Sequence, residues 1–174
     1  MSNRVSKRQI EATAYHEAGH AVAAIEMGFK VSSVSIQPDE FSHGRTVHNN
    51  PLYRMNLNSH EHSDRLRLRV ERAVVIALAG PEAQQRYNPR TIRKQDVKDD
   101  VDRVMRVLSE FTASNEELEA YFDLLRIRTR QLIDLKWDAV QRLSRALCER
   151  TASPSCSTGH SQAEPRQRTS DRSF

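Results

Sequence analysis

Five residues near the start of the chain, His16-Glu17-Ala18-Gly19-His20, have the types and spacing of a metal-dependent hydrolytic site. On an α-helix, positions four apart stand one above the other, so His16 and His20 can aim two imidazole nitrogens at one ion. Glu17 follows the first histidine directly, where its carboxylate can reach a water on that ion without displacing a ligand. Zinc suits such a site, because it takes neutral imidazole nitrogen and carboxylate oxygen in a tetrahedral shell. A bound zinc ion lowers the pKa of water from about 16 to about 7, and a neighbouring carboxylate can then act as general base.

Chance alone places H-E-x-x-H in about one chain of this length in a few hundred, so the surroundings decide its meaning. The stretch from Ser6 to Met27 reads as a helix ending at Gly28, where glycine supplies the left-handed C-terminal conformation. Ile10, Ala14, Ala18, Val22 and Ile25 give it an apolar stripe, and Ala21, Ala23 and Ala24 keep it slim. A helix so rich in small residues is built to be buried, and buried histidines need partners. Gly19 costs about 1 kcal/mol relative to alanine in a helix interior, which points to close packing against another element.

Two histidines do not complete a catalytic zinc shell; three protein ligands plus water are usual. Glu26 lies six residues after His20, about 120° off the ligand face of a continuing helix, so it is a poor ligand. A third ligand must come from further along. Spacing leaves Glu71, Glu82 and Asp96 open, the last in the acidic run Lys94-Gln95-Asp96-Val97-Lys98-Asp99-Asp100.

The elements that must carry these acids follow in order. Val31 to Ile36 is β-branched and stopped by Pro38, a strand; Gly44 to His48 is a shorter one, with Asp39 to His43 as the turn. Asn49 to His62 has no clear period and reads as a loop, with His60-Glu61-His62 at its end. From Asp64 a helical period returns through Leu66, Val70, Val74, Ala77 and Leu78, and Ala79-Gly80-Pro81 should end it, with a short piece from Glu82 to Arg86 after it. A helix starting near Arg93 puts Val97, Val101, Val104, Met105 and Leu108 on one face. Ser114-Asn115-Glu116-Glu117 opens another, with Leu118, Tyr121, Phe122 and Leu125. A last helical pattern runs through Leu132, Leu135, Val140, Leu143 and Leu147. The expected fold class is mainly α with a small β-hairpin (α+β), as a domain over 1–150 and a serine-rich, disordered tail over 151–174.

Composition narrows the function classes. Net charge is +4, but the arginines at 65, 67, 69 and 72 stand among acids, the pattern of a solvated face rather than a nucleic-acid site. Cys148 and Cys156 make no metal or redox spacing. Met1 to Gln9 lacks an apolar core, and no run approaches the ~18 apolar residues of a membrane span. The expectation is a cytoplasmic protein with no membrane or nucleic-acid partner.

Several pieces, in order, resemble the peptidase domain of the FtsH-type zinc metalloproteases over about Ile10 to Arg150. Tyr15 to Ala21 looks like that family's zinc helix. Val34-Ser35-Ile36-Gln37-Pro38 followed by Gly44-Arg45-Thr46 is similar to its strand pair, and Leu78-Ala79-Gly80 with Ala83 to the end of its second helix. Gln95-Asp96-Val97, followed by Val104 to Val107, looks like its third-ligand helix, and Arg142 to Thr151 like its terminal one. The resemblance implies His16, His20 and Asp96 as zinc ligands and Glu17 as catalytic base. It implies a zinc metalloendopeptidase. Because the membrane segments and ATPase module of that family's full-length proteins are not found in this sequence, the expectation is a stand-alone enzyme acting on peptides or unfolded protein, with a separate ATPase or a homo-oligomer as candidate partner. Two departures stand out: Gln84 where an acidic residue is usual, and Thr91-Ile92-Arg93-Lys94 where a small, glycine-containing stretch is usual. The rival expectation is a non-catalytic zinc-containing binding or regulatory module of the same fold.

Overall fold

The computed structural model describes residues 6–38, 44–57, 63–92 and 94–152, the last stretch without the side chains of 94–96 and 152. The chain is mainly helical with one two-stranded antiparallel sheet. Its elements are α1 (Lys7–Glu26), β1 (Val31–Ser35), β2 (Arg45–His48), α2 (Asp64–Tyr87), a 3-10 turn (Pro89–Thr91), α3 (Lys94–Phe111), α4 (Asn115–Leu135) and α5 (Trp137–Ala152). The expected turn at 39–43, the His60-Glu61-His62 segment and the tail beyond 152 lie outside the described residues.

Caps set the helix starts. The hydroxyls of Ser6, Ser63 and Ser114 accept the backbone N–H of Gln9, Leu66 and Glu117 at 3.1–3.2 Å, each satisfying a donor that the first turn leaves open. The Glu117 carboxylate in turn accepts from the N–H of Ala113, just before the cap, at 2.8 Å. At the other end of α1, Gly28 adopts φ +83°, a left-handed turn that glycine makes without steric cost.

α1 packs most extensively on α2 and then on α5. At this contact the sequence reading needs correction. α2 does not stop at Ala79-Gly80-Pro81; it continues through Pro81 to Tyr87 and takes in Glu82 to Arg86. Pro81 has no N–H for the Ala77 carbonyl, a local cost of about 3 kcal/mol in a helix interior. Packing offsets it. Ala79 and Ala83 are fully buried against α1, and a Cβ on Gly19 would come within 2.7 Å of the Ala83 Cβ. The small residues that look like a stop are the surface on which the two helices meet.

The last helical pattern is also two helices. Leu132 and Leu135 close α4, Lys136 leaves the helix at φ −104°, ψ 17°, and Trp137 starts α5. Leu135 is 78% exposed there, and Ile25, placed on the apolar stripe of α1, is 59% exposed. The rest of that stripe fits: Ala14, Ala18 and Val22 are buried. On α3 the buried line is Val104 and Leu108, with Met105 at its edge.

The hairpin pairs Val34 with Thr46 and Ser35 with Arg45, with an irregularity between Val31 and Ser33. Two strands alone are marginal. These are fastened by Ile36, which is buried with Ala14 of α1 and Leu147 of α5. The hairpin thus lies along α1, with β2 beside Glu17. Among the described residues, no helix is long and apolar enough to cross a membrane.

Candidate metal centre

α1 delivers His16 and His20 from its buried face, one turn apart, as the spacing requires. Their Nε2 atoms are 3.0 Å from each other. A carboxylate oxygen of Asp100, from α3, lies 3.1 Å from His16 Nε2 and 3.4 Å from His20 Nε2. All three side chains are largely buried.

The protons on the two rings follow from their outer partners. His20 Nδ1 lies 2.8 Å from the Ile76 carbonyl, which can only accept, so Nδ1 carries the hydrogen. His16 Nδ1 faces Gln84 Oε1 at 3.1 Å, and Gln84 Nε2 donates to the Thr91 carbonyl at 3.1 Å. The carbonyl of Thr91 fixes which end of the amide faces it, so His16 also carries its hydrogen on Nδ1. Both Nε2 atoms of the neutral rings then offer lone pairs to the same space as the Asp100 carboxylate. Three electron-rich atoms at these separations repel one another unless a cation stands between them. Donors on a tetrahedral zinc shell, with bonds of about 2.0–2.1 Å, stand about 3.3 Å apart, close to the distances found. The donor set and its spacing therefore fit a divalent ion, and His16, His20 and Asp100 form such a group among the described residues.

The electrostatics of the cluster agree. Burial alone would depress the basicity of His20. The Asp100 charge and its hydrogen bond, the Glu17 charge and the Ile76 carbonyl more than offset this, and raise the pKa to about 9. Burial works against ionising Asp100 too, but the His20 charge and hydrogen bonds from His16 and His20 hold its carboxyl well below the usual range. The cluster attracts positive charge, and a proton is the substitute for an ion.

Glycine makes room for this arrangement. The His20 ring lies against Gly80, where a Cβ would fall 2.6 Å from Cε1 and 2.7 Å from Cδ2. Glu17 is 5% exposed and points toward β2. The Thr46 hydroxyl is 2.8 Å from its Oε2, and a Cβ on Gly44 would come within 2.8 Å of its Oε1.

The sequence-derived candidates sort cleanly. His16, Glu17 and His20 are brought together. Asp96, the ligand implied by resemblance, stands on α3 one turn before Asp100, and its side chain lies outside the described residues. The acid that meets the imidazoles is Asp100, which neither spacing nor resemblance singles out. Glu71 and Glu82 are engaged elsewhere. Glu71 accepts from Tyr121 at 2.7 Å and Arg128 at 3.0 Å, and Glu82 from Arg126 at 2.9 Å and Arg130 at 3.3 Å. Glu26 pairs with Lys136 at 2.9 Å, in keeping with its exclusion. One signal did point to Asp100: it lies four residues before Val104 and eight before Leu108, in line with the buried stripe of α3. No protein-family model matches the chain, and no curated protein matches it.

Proposed function

We propose that the protein is a zinc-dependent metallopeptidase resembling the FtsH-type peptidase domain, with His16, His20 and Asp100 as ligands and Glu17 as general base. The observation that carries this reading is the convergence of two imidazole nitrogens and a carboxylate within 3.4 Å, next to a buried glutamate one residue from the first histidine. When bound, zinc supplies Lewis acidity, acidifying water and polarising a carbonyl. Glu17 takes a proton from water as the oxygen adds to the peptide carbonyl, and returns it to the nitrogen as the carbon–nitrogen bond breaks. Gln84 and the Ile76 carbonyl keep the two ligand rings in the tautomer that presents Nε2. The hairpin beside Glu17 offers strand edges on which an extended peptide or unfolded segment could pair.

Glu17→Gln is the direct test. It keeps the size of the side chain and removes its basicity, so peptide cleavage should fall by several orders of magnitude while zinc content stays that of wild type. A variant that still cuts would remove Glu17 from the chemistry. Wild type that holds zinc but cuts nothing in a peptide library would favour the non-catalytic module.

A further inference from the structure

Thr46 makes two close approaches to one residue 29 positions earlier. Its Oγ1 is 2.8 Å from Glu17 Oε2 and 3.0 Å from the Glu17 backbone carbonyl. A hydroxyl has one proton to give. The shorter contact goes to the charged oxygen, where the bond is the stronger kind. The carbonyl remains as a second acceptor, to which the hydroxyl can turn when Glu17 itself carries a proton.

The residue just before this strand, Gly44, stands close to the other carboxylate oxygen. A Cβ at Gly44 would stand 2.8 Å from Glu17 Oε1 and 2.9 Å from Glu17 Cγ, besides 2.8 Å from the Thr13 Cγ2. The absence of a side chain at 44 lets the backbone approach this closely. Glutamate has three side-chain torsions, and a base that must meet a proton on one oxygen loses rate if it wanders among rotamers. Here the start of β2 leaves it little choice. The pairing of Thr46 with Val34 and the burial of Ile36 against α1 and α5 hold that strand in place.

We infer that Thr46 is a positioning residue, which fixes the Glu17 carboxylate for proton transfer through its hydroxyl. The inference rests on the peptidase reading for its effect on rate, and on the hydrogen bond alone for its effect on Glu17. The test uses the full zinc-loaded chain, with Thr46→Val, which keeps shape and removes the hydroxyl, and Thr46→Ser, which restores it. Two readouts are taken: steady-state cleavage of a peptide, and carbon NMR at fixed pH of protein labelled at glutamate carboxyl carbons. The Glu17 line is assigned by its loss in Glu17→Gln.

Thr46→Val should lower kcat about ten- to a hundredfold with KM and zinc content unchanged, and should move the Glu17 line. Thr46→Ser should recover most of both. A Thr46→Val protein with wild-type kcat, or with the Glu17 line in place, overturns the inference, as does failure of Thr46→Ser to rescue. If wild type cuts nothing and the line still moves in Thr46→Val, the peptidase reading falls and the hold of Thr46 on Glu17 stands.

Discussion

Glu82 and Asp100 are both carboxylates drawn mostly out of water, yet their surroundings differ in kind. Glu82, on α2, accepts from two arginines of α4, Arg126 and Arg130; the protein supplies its counter-charge permanently. Asp100, on α3, faces two imidazoles whose other nitrogens are tied to acceptors; no arginine or lysine among the described residues pairs with it. An acid paired with arginine fastens two helices. An acid that faces two imidazoles can be matched by a proton on a ring or, in the proposed reading, by a cation from outside. Burial is nearly the same in the two regions, and the identity of the neighbour sets the role.

The contrast can be broken most forcefully at Gly80. Gly80→Ala changes no ligand, but its Cβ would collide with the His20 ring, so zinc affinity measured by chelator competition should fall about a hundredfold. Unchanged affinity would show that His20 is not where the ligand set needs it.

Removing the ion sharpens the comparison next. In chelator-treated protein the raised pKa of His20, about 9 against 6.5 in an unfolded chain, means that the folded state holds the proton more tightly. That stability is fully present below the unfolded value and is lost as pH rises through the folded one. Thermal melts of the metal-free protein should therefore fall by several degrees between pH 7 and 10. Zinc should abolish that slope, because ion and proton compete for the same lone pairs. A flat profile without metal would contradict the cluster's electrostatics.

The smallest effect belongs to the structural acid. Glu82→Gln should cost about 1 kcal/mol of stability in denaturant unfolding, since Arg126 and Arg130 are half exposed and can turn to water, and should leave zinc binding untouched. Loss of zinc in this variant would erase the distinction between the two acids.

Much of this was legible in the residues. H-E-x-x-H on an alanine-rich helix brings His16 and His20 to one side with Glu17 beside them, because helix geometry leaves a four-residue spacing only one face. Gly28, Ser114 and the β-branched run before Pro38 mark boundaries by local backbone chemistry, and the structure agrees at each. What was not legible depends on tertiary contact. Ala79-Gly80-Pro81 has the local chemistry of a stop, yet the approach of α1 keeps the helix going. The choice among acids at 71, 82, 96 and 100 turns on which helix faces which, and that is decided by packing rather than by spacing. Thr46 carries no signal of its own; its meaning comes from a strand register that brings it beside Glu17.

The central claim is that an ion is held by His16, His20 and Asp100. Elemental analysis of purified wild type, Asp100→Ala and Asp96→Ala, all grown with zinc, tests it most directly. The account predicts about one zinc per chain in wild type and in Asp96→Ala, and almost none in Asp100→Ala. Full zinc in Asp100→Ala, with loss in Asp96→Ala, would contradict it.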